Sequence, residues 1–420
     1  MPVSTLSISC TIEMQPSVKS TLRVLHTLRH LKSAQLAFLA IRRGLPPRAV
    51  KPTASARIRE EQYLQPLLPV RTFEQSEDSF SCLNQSVEFE SGRINWSPSK
   101  QSRLWCYHLH YFDQLRDIYR SPENKQFLIE DWISQNPQGS QPAWEPYTVS
   151  LRIINWVAFM LSDAAPRRLP LQWLDSLYEQ ALWLEKNDER HILANHYFEN
   201  IKAWLFAGIF FQGSDAERWL ANGKRLLLKQ LSEQFLDDGG HYERSPHYHA
   251  LMMENLLDLL NLSKSNSGVL GSAVESALET ALTNGLSFLH RITCPDGTIP
   301  LFNDAVQAAS PSIDELYVYA AKFIDIEMPE YSSGIELIEE PDTGLYGYRN
   351  DEDMLLIDCG DIGPDYQPGH THCDFLSFEL ILEDEPVIVD SGVYEYQPGA
   401  MRDYVRSTAA HNTLTIDGQE

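Results

Sequence analysis

The sequence lacks long apolar runs, paired cysteines and a recognisable leader. No stretch approaches the roughly 18 uninterrupted apolar residues that a bilayer-spanning helix needs. The cysteines are scattered between Cys10 and Cys373, with no CxxC pair and no dense framework. The opening MPVSTLSISCTIEMQPSVKS has no basic start followed by a continuous apolar core. We therefore expect no transmembrane segment and no disulfides. The default location is the cytoplasm, and a periplasmic or membrane-peripheral location stays open.

Basic side chains are also scarce. The chain has 34 Lys and Arg against 58 Asp and Glu, which gives a formal net charge of −24. This excess argues against a nucleic-acid backbone or an anionic membrane as the main partner. An anionic substrate stays possible, because a small basic pocket can lie within an acidic shell. The apolar content of 43% over 420 residues is enough to build two or three domains.

One basic stretch lies near the N-terminus. Between Ser20 and Arg43, apolar residues recur near helical spacing. The favoured interpretation is a helix that packs against the rest of the protein, and the alternative is a helix that lies on a membrane.

The hydrophobic pattern of the remaining chain changes once along the sequence. From Trp105 to Ile324, apolar residues recur at steps of three and four between short polar breaks, which predicts antiparallel helical hairpins. No sequence repeat is strict enough to indicate a solenoid. After Pro341, short segments rich in β-branched and aromatic residues predict antiparallel strands. These segments are TGLYGYRN, DMLLIDCG, LSFELIL, PVIVDSG and NTLTIDG.

These patterns divide the chain into three parts. We assign residues 1–60 to a basic helical or irregular segment, 61–335 to a helical domain and 336–420 to a sheet domain. The boundary between the two domains should lie near residues 328–342. The sheet domain is expected to be incomplete at Glu420, because two packed faces need more strands.

Two histidines separated by one residue, His370 and His372, precede the alternating run FLSFELIL. On a strand, positions i and i+2 point to the same face, so both imidazoles would look into one space. Farther along are Asp390 and His411, and two histidines with one carboxylate are a donor set typical of zinc. The alternative is that these are ordinary polar residues at strand ends.

Two further clusters lie in the helical region. Asn195 and His196 open the apolar helix ANHYFENIKAW, where Asn195 would ordinarily cap the helix and His196 would face solvent or a loop. In GGHYERSPHYH, Tyr248 falls in the first turn of a helix introduced by Ser-Pro. Its ordinary role would be ring packing with one hydrogen bond. Arg244, just before it, would suit a carboxylate.

In this order, the clusters resemble the heparinase II/III family of polysaccharide lyases. The resemblance runs from about Trp105 to the end of the chain. It implies an α+β multidomain fold, in which an incomplete (α/α) toroid is followed by an antiparallel β-sandwich domain, here truncated at residue 420. The segments that carry it are WCYHLHYFDQL, WEPYTVSLRIINW, ANHYFENIKAWLFAG, GGHYERSPHYHALMMENLLDLLNL, PDGTIPLFND, GHTHCDFLSFEL, VDSGVYEY and RDYVRSTAAHNTLTIDGQE.

The resemblance also implies roles for individual residues. Asn195 would neutralise the substrate carboxylate, with His196 as an adjacent site residue. Tyr248 would be the catalytic tyrosine, and Tyr242 is a less favoured contender. His370 would be the catalytic histidine.

A structural divalent metal, usually zinc, is implied at His372, Asp390 and His411. Arg402 and Arg406 precede the last of these residues. They would either attract an acidic sugar or form salt bridges with the surrounding carboxylates.

The reaction that the resemblance implies is β-elimination next to a uronic acid, in an anionic polysaccharide or oligosaccharide. Two other classes stay open. One is a protein that binds or handles polysaccharide in a surface-polysaccharide pathway without cleaving it. The other is a metal-dependent hydrolase that uses the three predicted metal ligands around an activated water. The identity of the polymer and the oligomeric state do not follow from the sequence.

Overall fold

The computed structural model describes residues 26–53, 55–69, 76–90 and 92–418. An incomplete (α/α) toroid forms a helical lobe, and an antiparallel sheet follows it in a sheet lobe. The helices are α1 Ser33–Gly44, α2 Arg103–Tyr111, α3 Pro122–Gln135, α4 Pro146–Met160, α5 Leu171–Asn187, α6 Ala194–Phe210, α7 Ser214–Gln234, α8 Pro246–Ser265, α9 Ser272–Ile292, α10 Ile313–Ala320 and, in the sheet lobe, α11 Ala400–Val405.

Local sequence explains where several of these helices begin. Helices α3, α4 and α8 each have proline in the first turn, where the missing N–H would have no helical partner. Helix α10 begins with a capping box between Ser312 and Glu315, in which each side chain accepts a hydrogen bond from the backbone N–H of the other. These helix starts follow the polar breaks in the sequence, so local sequence signals already separate one helix from the next.

Helix α6 is the central helix of the toroid. All of its residues except His196 are buried. It approaches α7 closely, because a Cβ at Gly208 would lie 2.8 Å from Leu220 Cγ, and one at Gly223 would lie 2.6 Å from Leu205 Cδ2. Such tight packing on a buried helix fixes the position of its first turn.

The sheet lobe contains a five-stranded antiparallel meander in which each strand pairs with the next one along the chain. A side chain at Gly347 would collide with the carbonyl oxygen of Leu355 on the neighbouring strand. The connection between the third and fourth strands, residues 359–377, is long and returns to the helical lobe. The strands are β3 Glu336–Glu340, β4 Leu345–Arg349, β5 Met354–Asp358, β6 Phe378–Leu382 and β7 Glu385–Ile388, after the two-stranded β1 Ser79–Cys82 and β2 Gln85–Glu88.

The two lobes meet along residues 301–305, which follow α9. The backbone N–H of Asp304 donates to the carbonyl oxygen of His370 at 3.1 Å. The side-chain oxygen of Asn303 accepts from the backbone N–H of His372 at 2.9 Å. The β5–β6 connection is therefore held against the helical lobe by its own backbone.

A second contact between the lobes comes from Arg349 in β4, which is fully buried. Its Nη1 donates to the carbonyl oxygens of His290, Arg291 and Thr293, at 3.0, 3.3 and 2.7 Å. These carbonyls belong to the C-terminal end of α9, where helical partners run out. One guanidinium thus ties the sheet to a helix end.

The described part of the N-terminal segment packs against the protein. Gln35 of α1 is buried, and its Nε2 donates to the carbonyl oxygen of Tyr366 in the sheet lobe at 3.2 Å. Arg42 donates to the carbonyl oxygen of Asp188 in the helical lobe at 3.0 Å. The helix therefore contacts both lobes, which agrees with the favoured interpretation, while residues 20–25 lie outside the described residues.

The strand predicted for the two histidines is wrong. His370 and His372 lie in the β5–β6 connection, outside any strand, and β6 begins only at Phe378. The backbone bonds to Asn303 and Asp304 hold this segment instead of a neighbouring strand. Alternation in the sequence marks β6 itself and does not extend back to the histidines.

Two other elements differ from the sequence-based expectation. The segment NTLTIDG forms no strand within the described part of the chain, and the Asn412 side chain there donates to the carbonyl oxygens of Phe378 and Val389. The hairpin of β1 and β2 was not predicted. Its two-residue turn, Leu83 and Asn84, has positive φ at both positions, which a type I′ turn requires.

The change from helices to strands falls between Ala320 and Glu336. Within the described part of the chain, no helix combines the length and the apolar character that crossing a membrane requires.

Candidate active site

The aromatic rings of Tyr248 and His370 stack across the boundary between the lobes. Tyr248 is in the first turn of α8, and its ring centroid lies 3.7 Å from that of His370, with 12° between the ring planes. The Tyr248 hydroxyl donates to the hydroxyl of Tyr396 at 3.2 Å. Burial, followed by Tyr396, raises the pKa of the Tyr248 phenol well above its usual value. The phenol is therefore protonated near neutral pH and can donate a proton.

Asn195 and His196 occupy the first turn of α6, on the helical side of the same region. The Asn195 Oδ1 atom is buried and has no hydrogen-bond partner among the described residues. Such an unpaired amide is costly unless a ligand satisfies it. The His196 ring lies 4.3 Å from that of Tyr147, and its Nδ1 lies 3.2 Å from Glu189 Oε1. Although burial opposes it, Glu189 raises the pKa of His196 above its usual value.

One buried carboxylate lies between these groups. Glu243 is 1% exposed, and its Oε1 lies 3.1 Å from His370 Nδ1. Burial acts to raise the pKa of Glu243, but His370, His241 and His196 outweigh it and lower the pKa. Glu243 is therefore ionised and within electrostatic reach of both His196 and His370. The groups predicted from both lobes converge on one side chain.

Unusual backbone conformations surround the site. Four residues other than glycine have positive φ directly beside the candidate groups: Leu193 at 68°, Ala194 at 51°, Arg244 at 56° and Asn303 at 58°. This region is sparsely populated for such residues, and branched or bulky side chains there are strained. The strain lies where the chain turns to present Asn195, the Tyr248 helix and the β5–β6 connection.

A separate buried group could hold a cation. His372, Asp374 and His411 each bring one ligand atom, and these atoms lie within 4.8 Å of one another. The Nδ1 of His372 and the Nε2 of His411 are buried and have no hydrogen-bond partner in the part of the chain that the structure describes. Two unpaired imidazole nitrogens facing a carboxylate are what a divalent metal such as zinc requires. The residues therefore fit a metal.

The second nitrogen of each imidazole is bonded to a carboxylate. His411 Nδ1 lies 2.9 and 3.0 Å from the two oxygens of Asp390, and His372 Nε2 lies 2.8 Å from Asp304 Oδ1. Carboxylates in these positions orient histidine ligands and increase their basicity. Asp390, which was predicted as a metal ligand, thus bonds the Nδ1 atom of His411 on the side away from the candidate metal site. Asp374 is the third candidate ligand, with His372 and His411.

Both arginines before His411 bind protein groups. Arg402 forms a two-pronged ion pair with Asp304, with Nη2 to Oδ2 at 2.7 Å. Arg406 donates through Nε to the carbonyl oxygen of Thr371 at 3.0 Å. Arg402 therefore forms a salt bridge, as one of the two alternatives expected. Arg406 contacts the loop that carries His370.

The other two candidate substrate contacts also have protein neighbours. Arg244 donates to the carbonyl oxygens of Asp342 and Asp361, at 3.0 and 3.1 Å, so its guanidinium joins the lobes. Tyr242 is buried, with a ring centroid 6.4 Å from that of Tyr366 and a hydroxyl that finds no hydrogen-bond partner among the residues that the structure describes. Neither side chain stacks on the Tyr248 ring as His370 does.

Sequence reasoning missed several residues that build the site. Their common property is that their acidic or phenolic groups become significant only when buried beside a histidine or another tyrosine. Asp304 stands within the quoted PDGTIPLFND and Tyr396 within VDSGVYEY, so the segments themselves were the available signal. The missed residues are Tyr147, Glu243, Asp304, Asp374 and Tyr396.

The described residues thus form a two-lobed protein in which an incomplete (α/α) toroid joins an antiparallel sheet, with a tyrosine–histidine pair between them. The chain belongs to the heparinase II/III family. The family model described as "Heparinase II/III N-terminus" matches residues 61–327, and the one described as "Heparinase II/III-like, C-terminal" matches residues 335–420.

Curated relatives are about a quarter identical to this chain over the residues that align. A heparin-sulfate lyase of Pedobacter heparinus is 25% identical over 376 residues, which cover 79% of this chain and 55% of the relative. A heparin-sulfate lyase of Bacteroides stercoris is 24% identical and covers 78% and 56%. The FtsZ-localized protein C of Caulobacter vibrioides is 24% identical over 328 residues and covers 76% and 53%. The chain thus spans about half the length of these relatives.

Solved structures agree with the fold. A crystal structure of heparinase III superposes with a TM-score of 0.64 at 22% identity, covering 79% of this chain and 58% of the other. Another heparinase III structure gives a TM-score of 0.54 at 20% identity, covering 79% and 59%. At these identities, the likeness supports the architecture of a toroid followed by a sheet.

Proposed function

We propose that this chain carries the catalytic site of a lyase that cleaves a uronate-containing anionic polysaccharide by β-elimination. The observation that carries the proposal is the stack of Tyr248 on His370 across the lobe boundary. Asn195, whose buried Oδ1 has no hydrogen-bond partner among the described residues, lies in the first turn of α6 beside His196, and its Nδ2 is the group that can donate to a carboxylate. Two relatives with heparin-sulfate lyase activity in their names support the same class. The polymer that this chain would act on stays open among uronate polymers.

The first requirement of the reaction is to quench the charge of the substrate carboxylate. The proton on C5 is too weakly acidic while the neighbouring carboxylate keeps its full negative charge. The Asn195 amide would hydrogen-bond this group and stabilise the dianion that develops, as oxyanion-hole donors do. His196 would assist, because its raised pKa favours the protonated, cationic form.

The second requirement is a base on C5 and an acid on the leaving oxygen. A neutral His370 can accept the C5 proton. Tyr248, which is protonated near neutral pH, can donate to the 4-oxygen as the glycosidic bond breaks. The contact between the two rings lets one sugar ring reach both groups. For the opposite C5 epimer, the hydrogen would face the tyrosine, which would then have to act as base.

The metal in this proposal is structural. His372, Asp374 and His411 would hold it, with Asp390 behind His411. A bound cation would supply a fixed link between the β5–β6 connection and the segment after α11. The metal would thereby fix the loop that carries His370, which lies two positions before His372. The protein side chains, and not the metal, would carry out the proton transfers.

A binding protein without catalysis is the second candidate. The relative named FtsZ-localized protein C is about as identical to this chain as the heparin-sulfate lyases are, and its name states no cleavage activity. A metal-dependent hydrolase is disfavoured by burial. His372, Asp374 and His411 are 4%, 6% and 8% exposed, whereas a catalytic metal needs an open position for water and substrate.

The proposal is tested with a panel of acidic polysaccharides and zinc supplied. We expect at least one uronate polymer to give the ultraviolet absorbance of a 4,5-unsaturated uronate, and Tyr248→Phe to abolish it. Tyr404→Phe, which changes an exposed tyrosine, serves as the matched control and should keep the wild-type rate. If no uronate polymer in a broad panel gives the absorbance while one of them binds, the binding candidate replaces the lyase.

A further inference from the structure

Glu243 is a buried charge that the mechanism above does not use. It lies five residues before Tyr248, and it is 1% exposed. Neither of its carboxylate oxygens forms a regular hydrogen bond within the described chain. An ionised carboxylate in such a place costs several kcal/mol unless a donor faces it. Two imidazole nitrogens are near enough: His370 Nδ1 at 3.1 Å from Oε1 and His241 Nδ1 at 3.7 Å from Oε2.

The hydrogen-bond network excludes His241 as the donor. Its Nε2 lies 3.0 Å from Oε1 of Gln234. The amide nitrogen of Gln234 donates to Gln230 Oε1 and to the carbonyl oxygen of Ala194, so the Gln234 oxygen must face the imidazole as an acceptor. His241 therefore carries its hydrogen on Nε2, and burial lowers its pKa to about 4, which keeps it neutral. Its Nδ1 has no hydrogen to give to Glu243.

Of these two imidazole nitrogens, His370 Nδ1, at 3.1 Å from Oε1, is then the one left to face this carboxylate. We propose that Glu243 is a positioning residue that holds the hydrogen of His370 on Nδ1 and thereby leaves the Nε2 lone pair free toward the sugar. This inference rests on the proposed lyase function. A carboxylate that fixes the tautomer and the ring of a general base presents the lone pair of the other nitrogen in one defined direction.

The stack on Tyr248 makes the role specific. The Tyr248 ring fixes the plane of the His370 imidazole but not which edge points inward, because a half-turn about the Cβ–Cγ bond exchanges the edges within the same plane. Glu243 breaks this symmetry, since Nδ1–H gains a charged acceptor only in one orientation. The two neighbours together define both the plane and the edge of the base.

The first test is kinetic and uses Glu243→Gln. We expect kcat to fall about 10- to 100-fold, a large part of the ~10²–10⁴ that a positioned base supplies, while KM changes less than about threefold. Glu340→Gln is the matched control, because it also neutralises a buried carboxylate but one paired with Arg291 away from the site. It should keep the wild-type kcat. An unchanged kcat in Glu243→Gln, with Tyr248→Phe inactive, would overturn the inference and leave the lyase function standing.

The second test does not need activity. In protein labelled with ¹⁵N-histidine, the signals of His370, assigned with His370→Gln, should show a protonated Nδ1 and an unprotonated Nε2. In Glu243→Gln, the Nε2-protonated form should become populated. An Nε2-protonated His370 in the wild type, or the same tautomer in both proteins, would refute the positioning role even if the chain cleaves no polymer at all.

Discussion

The carboxylate of Asp304 accepts a hydrogen bond from Nε2 of His372 at 2.8 Å, although the two residues belong to different lobes. Asp304 follows α9 in the helical lobe, and His372 lies in the connection between β5 and β6. The candidate metal group is therefore oriented by a residue outside the sheet lobe. Stability of the metal group and packing of the lobes should be coupled.

The first prediction concerns His372→Ala. It removes a candidate ligand and one of the two side chains that bond the buried Asp304, which keeps Arg402, so the free energy of unfolding should fall by about 1.5–3 kcal/mol. The rate per folded molecule should change much less, because the ring does not touch the sugar in the proposed mechanism. Thermal unfolding and kcat corrected for the folded fraction check this. His30→Ala, a partly exposed histidine near Asp365, is the control. Wild-type stability with a lost rate would contradict the structural role.

The second prediction separates the two aspartates near His411. Asp374→Asn should abolish metal binding, because Asp374 is the carboxylate that completes the group of three. Asp390→Asn should weaken metal affinity by about 10- to 100-fold, as expected for a partner that orients a ligand. Metal content and titration with a chelator measure both. Loss of metal in Asp390→Asn together with its retention in Asp374→Asn would restore the ligand set that the family resemblance implied.

The third prediction is a pH effect on stability. Burial, followed by Arg152, lowers the pKa of His110 to about 3. Its Nδ1 accepts a hydrogen bond from the Trp132 indole at 3.0 Å, which requires the unprotonated nitrogen. In the unfolded chain the His110 imidazole binds a proton below about pH 6.5, whereas in the folded chain it stays unprotonated down to about pH 3. Stability from this group is therefore full above pH 6.5 and is lost as pH falls, at about 1.4 kcal/mol per unit.

His110→Gln isolates this contribution. Urea unfolding at pH 7 and pH 5.5 should show a smaller loss of stability in the variant than in the wild type, by roughly 1 kcal/mol for one proton. Other buried histidines with lowered pKa, such as His249, keep their share in both proteins. Equal losses in the two proteins would show that His110 is protonated in the folded state.

The fourth prediction concerns the tie between β4 and α9. Arg349→Ala leaves three carbonyl oxygens at the end of α9 without their donor, so stability should fall by about 2–4 kcal/mol. Calorimetry should also show the sheet lobe unfolding at a lower temperature than the helical lobe. Arg218→Ala, which removes a more exposed ion pair with Glu185, should cost no more than about 1 kcal/mol. Equal effects of the two variants would contradict the tie.

Much of the helical lobe follows from the sequence because its signals are local. Apolar spacing and first-turn prolines place helices such as α4 and α8 close to the predicted segments. The loop that carries His370 could not be placed this way. Its conformation depends on bonds to Asn303 and Asp304, which are over 60 residues away in sequence, as the separation of 69 between His372 and Asn303 shows.

The residues of the candidate site also differ in whether local sequence signals could predict them. Tyr248 and His370 were named from motifs, and the structure brings their rings together. Glu243 was not named, although it stands in the quoted segment GGHYERSPHYH, because an acidic residue beside an arginine reads as a solvated charge until its burial is known. Asp374 was missed for the same reason: its significance depends on facing two unpaired imidazole nitrogens.

In the proposed reaction, Asn195, Tyr248 and His370 act together on one acidic sugar by elimination. Mass spectrometry of the products from the acidic polysaccharide panel tests it most directly. We expect oligosaccharides that are lighter by one water than hydrolysis products, with none formed by Tyr248→Phe or His370→Gln. Products with the full mass of hydrolysis, or elimination products that persist in both variants, would contradict it.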